Sequence, residues 1–319
     1  MREPAPCVAR DMKAIVLNQY GGPDELTVTD HPDPKVAPGE VLIRVKAAGI
    51  NPVDWKLASG GLDALMETHF PIIPGWDVAG VVEAVGLDVE EYSVGDEVIG
   101  YARKDTVELG TYAELVAANV RLVAPKPASL DWAQAAGLPL AGLTAYQALR
   151  RLNVTSGETV LVHAAAGGVG SLGVQIAKAF GARVIGTASE RNHAFLTELG
   201  AEPVSYGDGL AERVRELAPE GVDAAVDFVG GQEAVEVSRQ VTKDSTRVGS
   251  IADDAVTEFG GRYMWVRPSS EDLTELGRLA DAGKLTVHVD RTYPLADAAL
   301  AWRVSQAGSV RGKLVLTVD

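Results

Sequence analysis

Between residues 13 and 125 the apolar positions fall in short runs rich in β-branched side chains, among them KAIVL, EVLIRVKAAGI, VAGVVEAVG and DEVIGY. Turn clusters such as HPDPKVAPGE and NPVDWKLASGG separate these runs, and long helical periods are scarce. The pattern predicts an all-β module whose loops are long enough to carry a site, opening on a strand over 13–17. Over 127–149 the character changes: Ala, Leu and Gln dominate, Ser129 and Asp131 offer N-cap oxygens, and 143–149 continues as a helix. Strand-like and helix-like segments then alternate strictly, from TVLVHA, VGSLGVQIAKAF and RVIGTAS through RNHAFLTEL, VSY, GLAERVRELA, AAVDFVG and EAVEVSRQV to RVGSI. Such a succession implies an α/β fold with a doubly wound parallel sheet. A further amphipathic helix is expected over 271–282, then a strand over 285–289, a helix over 294–306 and a strand over 313–318. These last β segments are free to return to the first module.

The stretch over 159–170, TVLVHAAAGGVG, carries the clearest chemistry. An apolar strand enters the bend Ala165-Ala166-Gly167-Gly168-Val169-Gly170, a helix-length segment closes at Gly181, and a second β-branched run follows. Ala165 stands where G-x-G-x-x-G has its first glycine, while Gly167 and Gly170 hold the second and third places. Gly167 removes the side chain where backbone N–H groups must approach a pyrophosphate, and Gly170 lets the helix press against the strand. The helix N-terminus then faces the anion with unpaired donors and partial positive charge. The expected division is a flexible extension over 1–11, a β domain over 12–126, a dinucleotide-binding domain over 127–270, and a segment over 271–319 that bridges back to the β domain.

Length and composition narrow the setting. A chain of 319 residues is long enough for two domains, and 46% hydrophobic with 23% charged residues is ordinary for a globular protein. The formal net charge of −15 repels nucleic acid and anionic lipid, so a bound phosphate needs a local basic pocket. Cys7 is the only cysteine, which leaves no disulfide framework or thiolate cluster and fits a reducing, cytoplasmic compartment. The longest apolar stretch, 133–149, is broken by Gly137, Pro139 and Gly142, and the first eleven residues carry no apolar leader core. Neither a membrane span nor a secretory signal is expected.

Eight segments in register give a more specific likeness: MKAIVLNQYGGPDEL, AAGINPVDWKLASG, FPIIPGWDVAGVVEAVG, VGDEVIG, GTYAELV, AAGLPLAGLTAYQAL, HAAAGGVG and YPLADAALAW with VRGKLVLTV. Over 12–319 the chain resembles the zinc-independent medium-chain dehydrogenases/reductases, in the quinone oxidoreductase branch related to zeta-crystallin. The resemblance implies a Rossmann domain beside a GroES-like β-rich catalytic domain, and a homodimer joined along an edge near 247–265. Zinc-dependent members carry a Cys after AAGI, a His-Glu pair at the PGxD-like turn and a four-Cys lobe. Here Asn51 follows AAGI, Trp76-Asp77 fills the turn, and no Cys follows Cys7, so no zinc is expected. His31, His69, His193 and His288 read as structural, and His163, at the end of the first Rossmann strand, as a hydrogen-bonded core imidazole.

In NAD-specific Rossmann folds a carboxylate at the end of the second strand accepts from the ribose 2′-hydroxyl. That place holds Ala188, with Ser189 and Arg191 following as phosphate donors despite Glu190 between them. The resemblance adds Tyr206 beside the adenosine phosphate, and the expected cofactor is NADPH. The carboxyl ends of later strands select Phe228, Val229 and Gly230, then Ser250 and Ile251; by resemblance these flank the two riboses. Thr144 and Asn51 would line the nicotinamide end, and Arg311, Gly312 and Lys313 would close on the cofactor.

Without a metal, the natural hydride acceptor already holds an electron sink, as quinones, enones and enals do. Asn51 and a backbone N–H could stabilise the developing oxyanion. Tyr112, Asp54, Lys56 or solvent could supply the proton, and Trp55, with Met66 and Trp265, would wall a pocket for a planar substrate. The leading expectation is an NADPH-dependent, zinc-free reductase of quinones or α,β-unsaturated carbonyls. Its rivals are an enoyl or enone reductase of one biosynthetic pathway, with a single preferred substrate, and an NADPH-binding scaffold or redox sensor with a vestigial active site.

Overall fold

The computed structural model describes residues 11–318, so the extension expected over 1–11 lies, Asp11 apart, outside the described residues. β1 (Asp11–Val16) pairs antiparallel with β2 (Thr27–Pro32). β3 (Glu40–Ile50) is the spine of the larger sheet, burying Val41, Ile43 and Val45 while Arg44 faces out. The loop after β3, expected as a turn, winds into a short helix, α1 (Pro52–Ala58). Pro52 suits the first helical position, and Asp54 accepts the Asn51 N–H at 2.8 Å, a capping device that sequence periodicity does not display.

Six strands complete the module: β4 (Thr68–Ile73), β5 (Asp77–Val85), β6 (Glu97–Tyr101), β7 (Val107–Leu109), β8 (Leu115–Asn119) and β9 (Val123–Pro125). Asp131 caps α2 (Trp132–Gly137), which packs on β3 and β5, whereas α3 (Pro139–Arg151) packs on the helices of the second sheet. The chain therefore changes layers between α2 and α3.

The second sheet comes from β10 (Thr159–Val162), α4 (Gly168–Ala179), β11 (Arg183–Ala188), α5 (His193–Glu198), β12 (Glu202–Ser205) and α6 (Leu210–Leu217). It continues with β13 (Ala224–Asp227), α7 (Gln232–Val241), β14 (Val248–Ser250) and β15 (Arg262–Tyr263). All pairings are parallel, in the order β12-β11-β10-β13-β14-β15, so the winding reverses at β10. Val160, Leu161 and Val162 are fully buried, as a strand covered by helices on both faces requires.

The chain then forms α8 (Ser270–Asp281), β16 (Val289–Pro294), α9 (Ala298–Gln306) and β17 (Lys313–Thr317). β17 runs antiparallel to β3 and parallel to β16, returning the C-terminal strands to the first module's sheet. The strand expected over 285–289 starts four residues later. Leu285 and Val287 are buried as their alternation implies, but both backbone groups of Thr286 bond the Gln175 side chain, at 2.8 and 3.0 Å. No helix among the described residues is long and apolar enough to cross a membrane.

Candidate functional site

The crevice opens at the carboxyl end of β10, where strand order reverses and a parallel sheet leaves room for a ligand. Its turn is pinned by β11: Thr187 accepts the Ala164 N–H through Oγ1 at 3.1 Å and the Ala165 N–H through its carbonyl at 2.9 Å. Ala164 takes a φ of 51°, a left-handed conformation that strains a residue with a Cβ. The glycines divide the work. A Cβ on Gly170 would sit 2.1 Å from the Ala164 carbonyl oxygen, so this glycine serves packing. A Cβ on Gly167 would meet only that oxygen, at 3.3 Å, and would otherwise fill open crevice in front of the first N–H groups of α4. Gly167 therefore leaves a cradle that any side chain would occupy. The Gly312 N–H donates to the Ala166 carbonyl at 3.0 Å, laying the segment before β17 along the turn.

Toward the end of β11 the crevice widens to about 490 Å³, lined by His163, Ser189, Arg191, Tyr206, Val229 and Gly230 with their neighbours. Ala188 ends the strand, and Glu190 is not in the lining. The Arg191 guanidinium forms no hydrogen bond or ion pair with the protein, and Tyr206 is 59% exposed. The loop carrying Tyr206 is held by Arg213, whose guanidinium donates to the carbonyls of Ser205, Gly207 and Asp208. His163 is buried with its Nε2 3.0 Å from Ser238 Oγ, and burial lowers its pKa to about 4. The expectation of a core imidazole fits this placement, although the ring also touches the crevice.

The inner crevice, about 260 Å³, is lined by Asn51, Gly167, Gly168, Val169, Gly170, Phe228, Gly312 and Lys313, with others. Beneath it lies a polar floor. The Asn51 carboxamide donates from Nδ2 to Asp77 at 2.9 Å and accepts through Oδ1 from the Lys313 ammonium at 2.5 Å. Lys313 also donates to the Ile50 carbonyl at 3.0 Å and stands 3.9 Å from Asp77. The other Asp77 oxygen accepts the Leu140 N–H at 2.8 Å, next to the start of α3. Burial pushes Asp77 up to about 6 against the opposing pull of Lys313, and burial lowers Lys313. Asp54 is pushed up to about 7, again by burial, despite hydrogen bonds from Asn51 and Tyr112.

Sequence reasoning singled out Asn51, Asp54 and Lys313 separately; Asp77, which joins Asn51 to Lys313, was noted there only as filling the turn. Its signal is a carboxylate inside an apolar strand start, PGWDVAGVV.

Several expected site residues lie elsewhere. Tyr112 is fully buried in the core, donating to Asp54 at 2.8 Å and accepting from Trp302 at 3.3 Å, with its pKa raised by burial. It does not reach the crevice. The Thr144 hydroxyl turns back to the Leu140 carbonyl at 2.7 Å, satisfying itself within α3. Ser250 is also buried and donates to Asp227 at 2.6 Å; Asp227 in turn accepts the N–H groups of Val229 and Gly230, so this pair braces the crevice loop from behind. Ile251 and Arg311 do not line the crevice, and the Arg311 guanidinium lies 5.2 Å over the Phe195 ring. Trp55 reaches only the rim, where its indole N–H donates to Ser305 at 3.2 Å. Met66 packs against the core, and Trp265 runs alongside α3, its carbonyl accepting from Arg151 at 2.9 Å.

Comparison with known proteins supports one family. The alcohol dehydrogenase GroES-like domain model matches residues 37–128, and the model described as zinc-binding dehydrogenase matches 199–316. The chain is 35% identical to the NADPH-dependent alkenal/one oxidoreductase of Arabidopsis thaliana chloroplasts, covering 97% of this chain and 80% of that protein. It is 36% identical to the 2-methylene-furan-3-one reductase of Solanum lycopersicum, with the same coverage of each. The solved quinone oxidoreductase from Coxiella burnetii superposes with a TM-score of 0.85 at 36% identity, over 97% of this chain and 100% of that one. The chain belongs to the medium-chain dehydrogenase/reductase family, in its quinone oxidoreductase branch.

Proposed function

We propose that this protein is an NADPH-dependent oxidoreductase that reduces quinones or α,β-unsaturated carbonyls, with no metal in the step. The observation that carries the cofactor reading is the wide end of the crevice: no carboxylate at Ala188, and Ser189, an unpaired Arg191 and an exposed Tyr206 in its lining. A ribose 2′-phosphate there would gain one charge-assisted contact, about 1.5–3 kcal/mol. Gly167, Gly168 and Val169 would hold the pyrophosphate on backbone donors, and Phe228, Val229 and Gly312 would flank the inner riboses. Bound NADPH supplies a hydride, which asks the protein for an acceptor in reach and a dry, oriented site.

The floor supplies orientation. Asn51 has one N–H on Asp77 and its carbonyl on Lys313, so its amide cannot rotate, and its second N–H is left for a substrate oxygen. The same geometry argues against a metal. Asn51 offers a carboxamide, Trp76 no ligand atom, and the Asp77 carboxylate is already taken by Asn51, Leu140 and the nearby ammonium. No group of three or more His, Cys, Asp or Glu able to hold a metal ion occurs among the described residues. With Tyr112 walled off and Lys56 exposed on α1 outside the crevice lining, the proton comes from solvent. We further propose a cytoplasmic homodimer paired along β15, one of the two edge strands of the six-stranded sheet.

The test is an anaerobic assay of NADPH oxidation against a 1,4-quinone, an enone and an enal. Turnover of at least one class is expected, with NADPH preferred to NADH. Tight NADPH binding without oxidation by any member would leave the scaffold reading instead.

A further inference from the structure

A second cavity, larger than either part of the crevice at about 730 Å³, shares no lining residue with it. Three arginines from three separate segments line it: Arg103 just after β6, Arg121 just after β8, and Arg267 just before α8. It therefore spans both modules of the molecule.

These three guanidiniums gather unpaired in one cavity. Several other arginines of this acidic chain grip carboxylates through two nitrogens, as Arg44 does Glu83, Arg183 does Glu202 and Arg247 does Glu158. Arg103, Arg121 and Arg267 make no side-chain hydrogen bond or ion pair with the protein, although the chain carries 44 Asp and Glu. The Nε of Arg103 is shielded from solvent with no partner, while the guanidinium sits 5.9 Å over the Tyr101 ring. A shielded donor without an acceptor is costly unless something supplies one.

The remaining charges do not cancel the cluster. Lys104 is paired with Glu108 at 3.5 Å, and Glu40 accepts the Ala37 N–H at 3.0 Å. Asp105 and Glu271 also lie in the lining and hold none of the three arginines. The positive end of α8, capped by Ser269, faces the same space.

We propose that this cleft is a binding site for a small polyanion, a phosphate ester or a polycarboxylate with at least two negative charges, separate from the nucleotide crevice. Guanidinium forks match both oxyanion types, and the volume suits a ligand of metabolite size. Because its arginines belong to both modules, an occupant ties the two together.

Isothermal titration of the full chain with inorganic pyrophosphate and with citrate, each at saturating NADP⁺ so that the nucleotide crevice is filled, tests this. Pyrophosphate or citrate should bind and raise the melting temperature under those conditions. The Arg121→Ala/Arg267→Ala pair should weaken that binding about ten- to a hundredfold and leave NADP⁺ affinity unchanged. Response to pyrophosphate alone assigns a phosphate ester, and response to citrate as well extends the class to polycarboxylates. No binding of either anion at millimolar concentration, binding abolished by NADP⁺, or equal binding to wild type and the double variant would each overturn the site. The melting shift of the wild-type protein keeps the test decisive if the variant folds poorly.

Discussion

The phosphate turn and the polar floor adjoin one another in the same crevice, yet they are made in opposite ways. The turn uses one continuous stretch, 163–170, and offers backbone N–H groups; its side chains matter mainly by being small. The floor is built on side chains from Asn51, Asp77 and Lys313, up to 262 residues apart, and all their polar atoms but the second Asn51 N–H are committed within the protein. A backbone site tolerates charge changes and fails on added volume. A buried side-chain site tolerates little change in charge, because each group's cost of burial is offset only by its neighbours.

The largest effect should come from breaking the floor. Lys313→Met removes the ammonium that faces Asp77 and Asn51, leaving a buried carboxylate whose cationic neighbour is gone. We expect a loss of about 3–5 kcal/mol in urea unfolding. A loss below about 1 kcal/mol would mean that the floor is neutral and that its hydrogen bonds, not its charges, hold it.

At the other end of the crevice, Arg191→Ala should leave stability unchanged, since its side chain has no protein partner. It should lower the NADPH-to-NADH ratio of kcat/KM about ten- to a hundredfold, the worth of one charge-assisted contact. An unchanged ratio would remove Arg191 from the cofactor site.

A smaller, paired change separates packing from access within the turn itself. Gly170→Ala forces a methyl to 2.1 Å from the Ala164 carbonyl and should cost about 1–3 kcal/mol of stability. Gly167→Ala has room beside its backbone and should keep the fold while weakening NADPH binding. If both variants lose stability equally, the two glycines share a packing role and the cradle assignment of Gly167 fails.

The contrast also accounts for what the sequence displayed. The parallel sheet, the turn and the strand end at Ser189 and Arg191 are local features, so β-branched runs and glycine spacing expose them, whereas Tyr206 entered only through the family resemblance. The coupling of Asn51, Asp77 and Lys313 depends on β17 returning beside β3, which no local pattern encodes. Thr144 and Ser250 mislead for a related reason: a hydroxyl near a strand or helix end looks available in sequence, whereas here each finds a partner inside the fold. Tyr112 is misread because the capping carboxylate Asp54 takes its hydroxyl, and the helix that places Asp54 lies within what periodicity reads as a loop.

The smallest effect expected near neutral pH concerns protons, and it sets the two regions against each other. Burial raises Asp54 from 3.8 to about 7, so the folded protein keeps a proton that the unfolded chain gives up above 3.8. Its contribution to stability is therefore full below 3.8 and is lost as pH rises to about 7; Asp77, pushed up to about 6, acts in the same direction. His163 has the opposite sign: with a folded value of about 4 against 6.5, the unfolded chain gains the proton first, and stability is lost as pH falls from 6.5 to about 4. Between about 4 and 6 the floor and the turn thus pull in opposite directions, and the two floor carboxylates outweigh the single imidazole, so wild-type stability falls as pH rises. Asp54→Asn keeps an acceptor for Asn51 and Tyr112 but removes one of the two carboxylate titrations, so Asp77 and His163 then offset each other and the profile should flatten between about 4 and 6. The change in slope is at most about 1.4 kcal/mol per pH unit, read from urea midpoints at successive pH values. A variant profile that overlays the wild type would show that Asp54 is already ionised in the fold, making the floor a charged cluster paired through Lys313 rather than a largely protonated one.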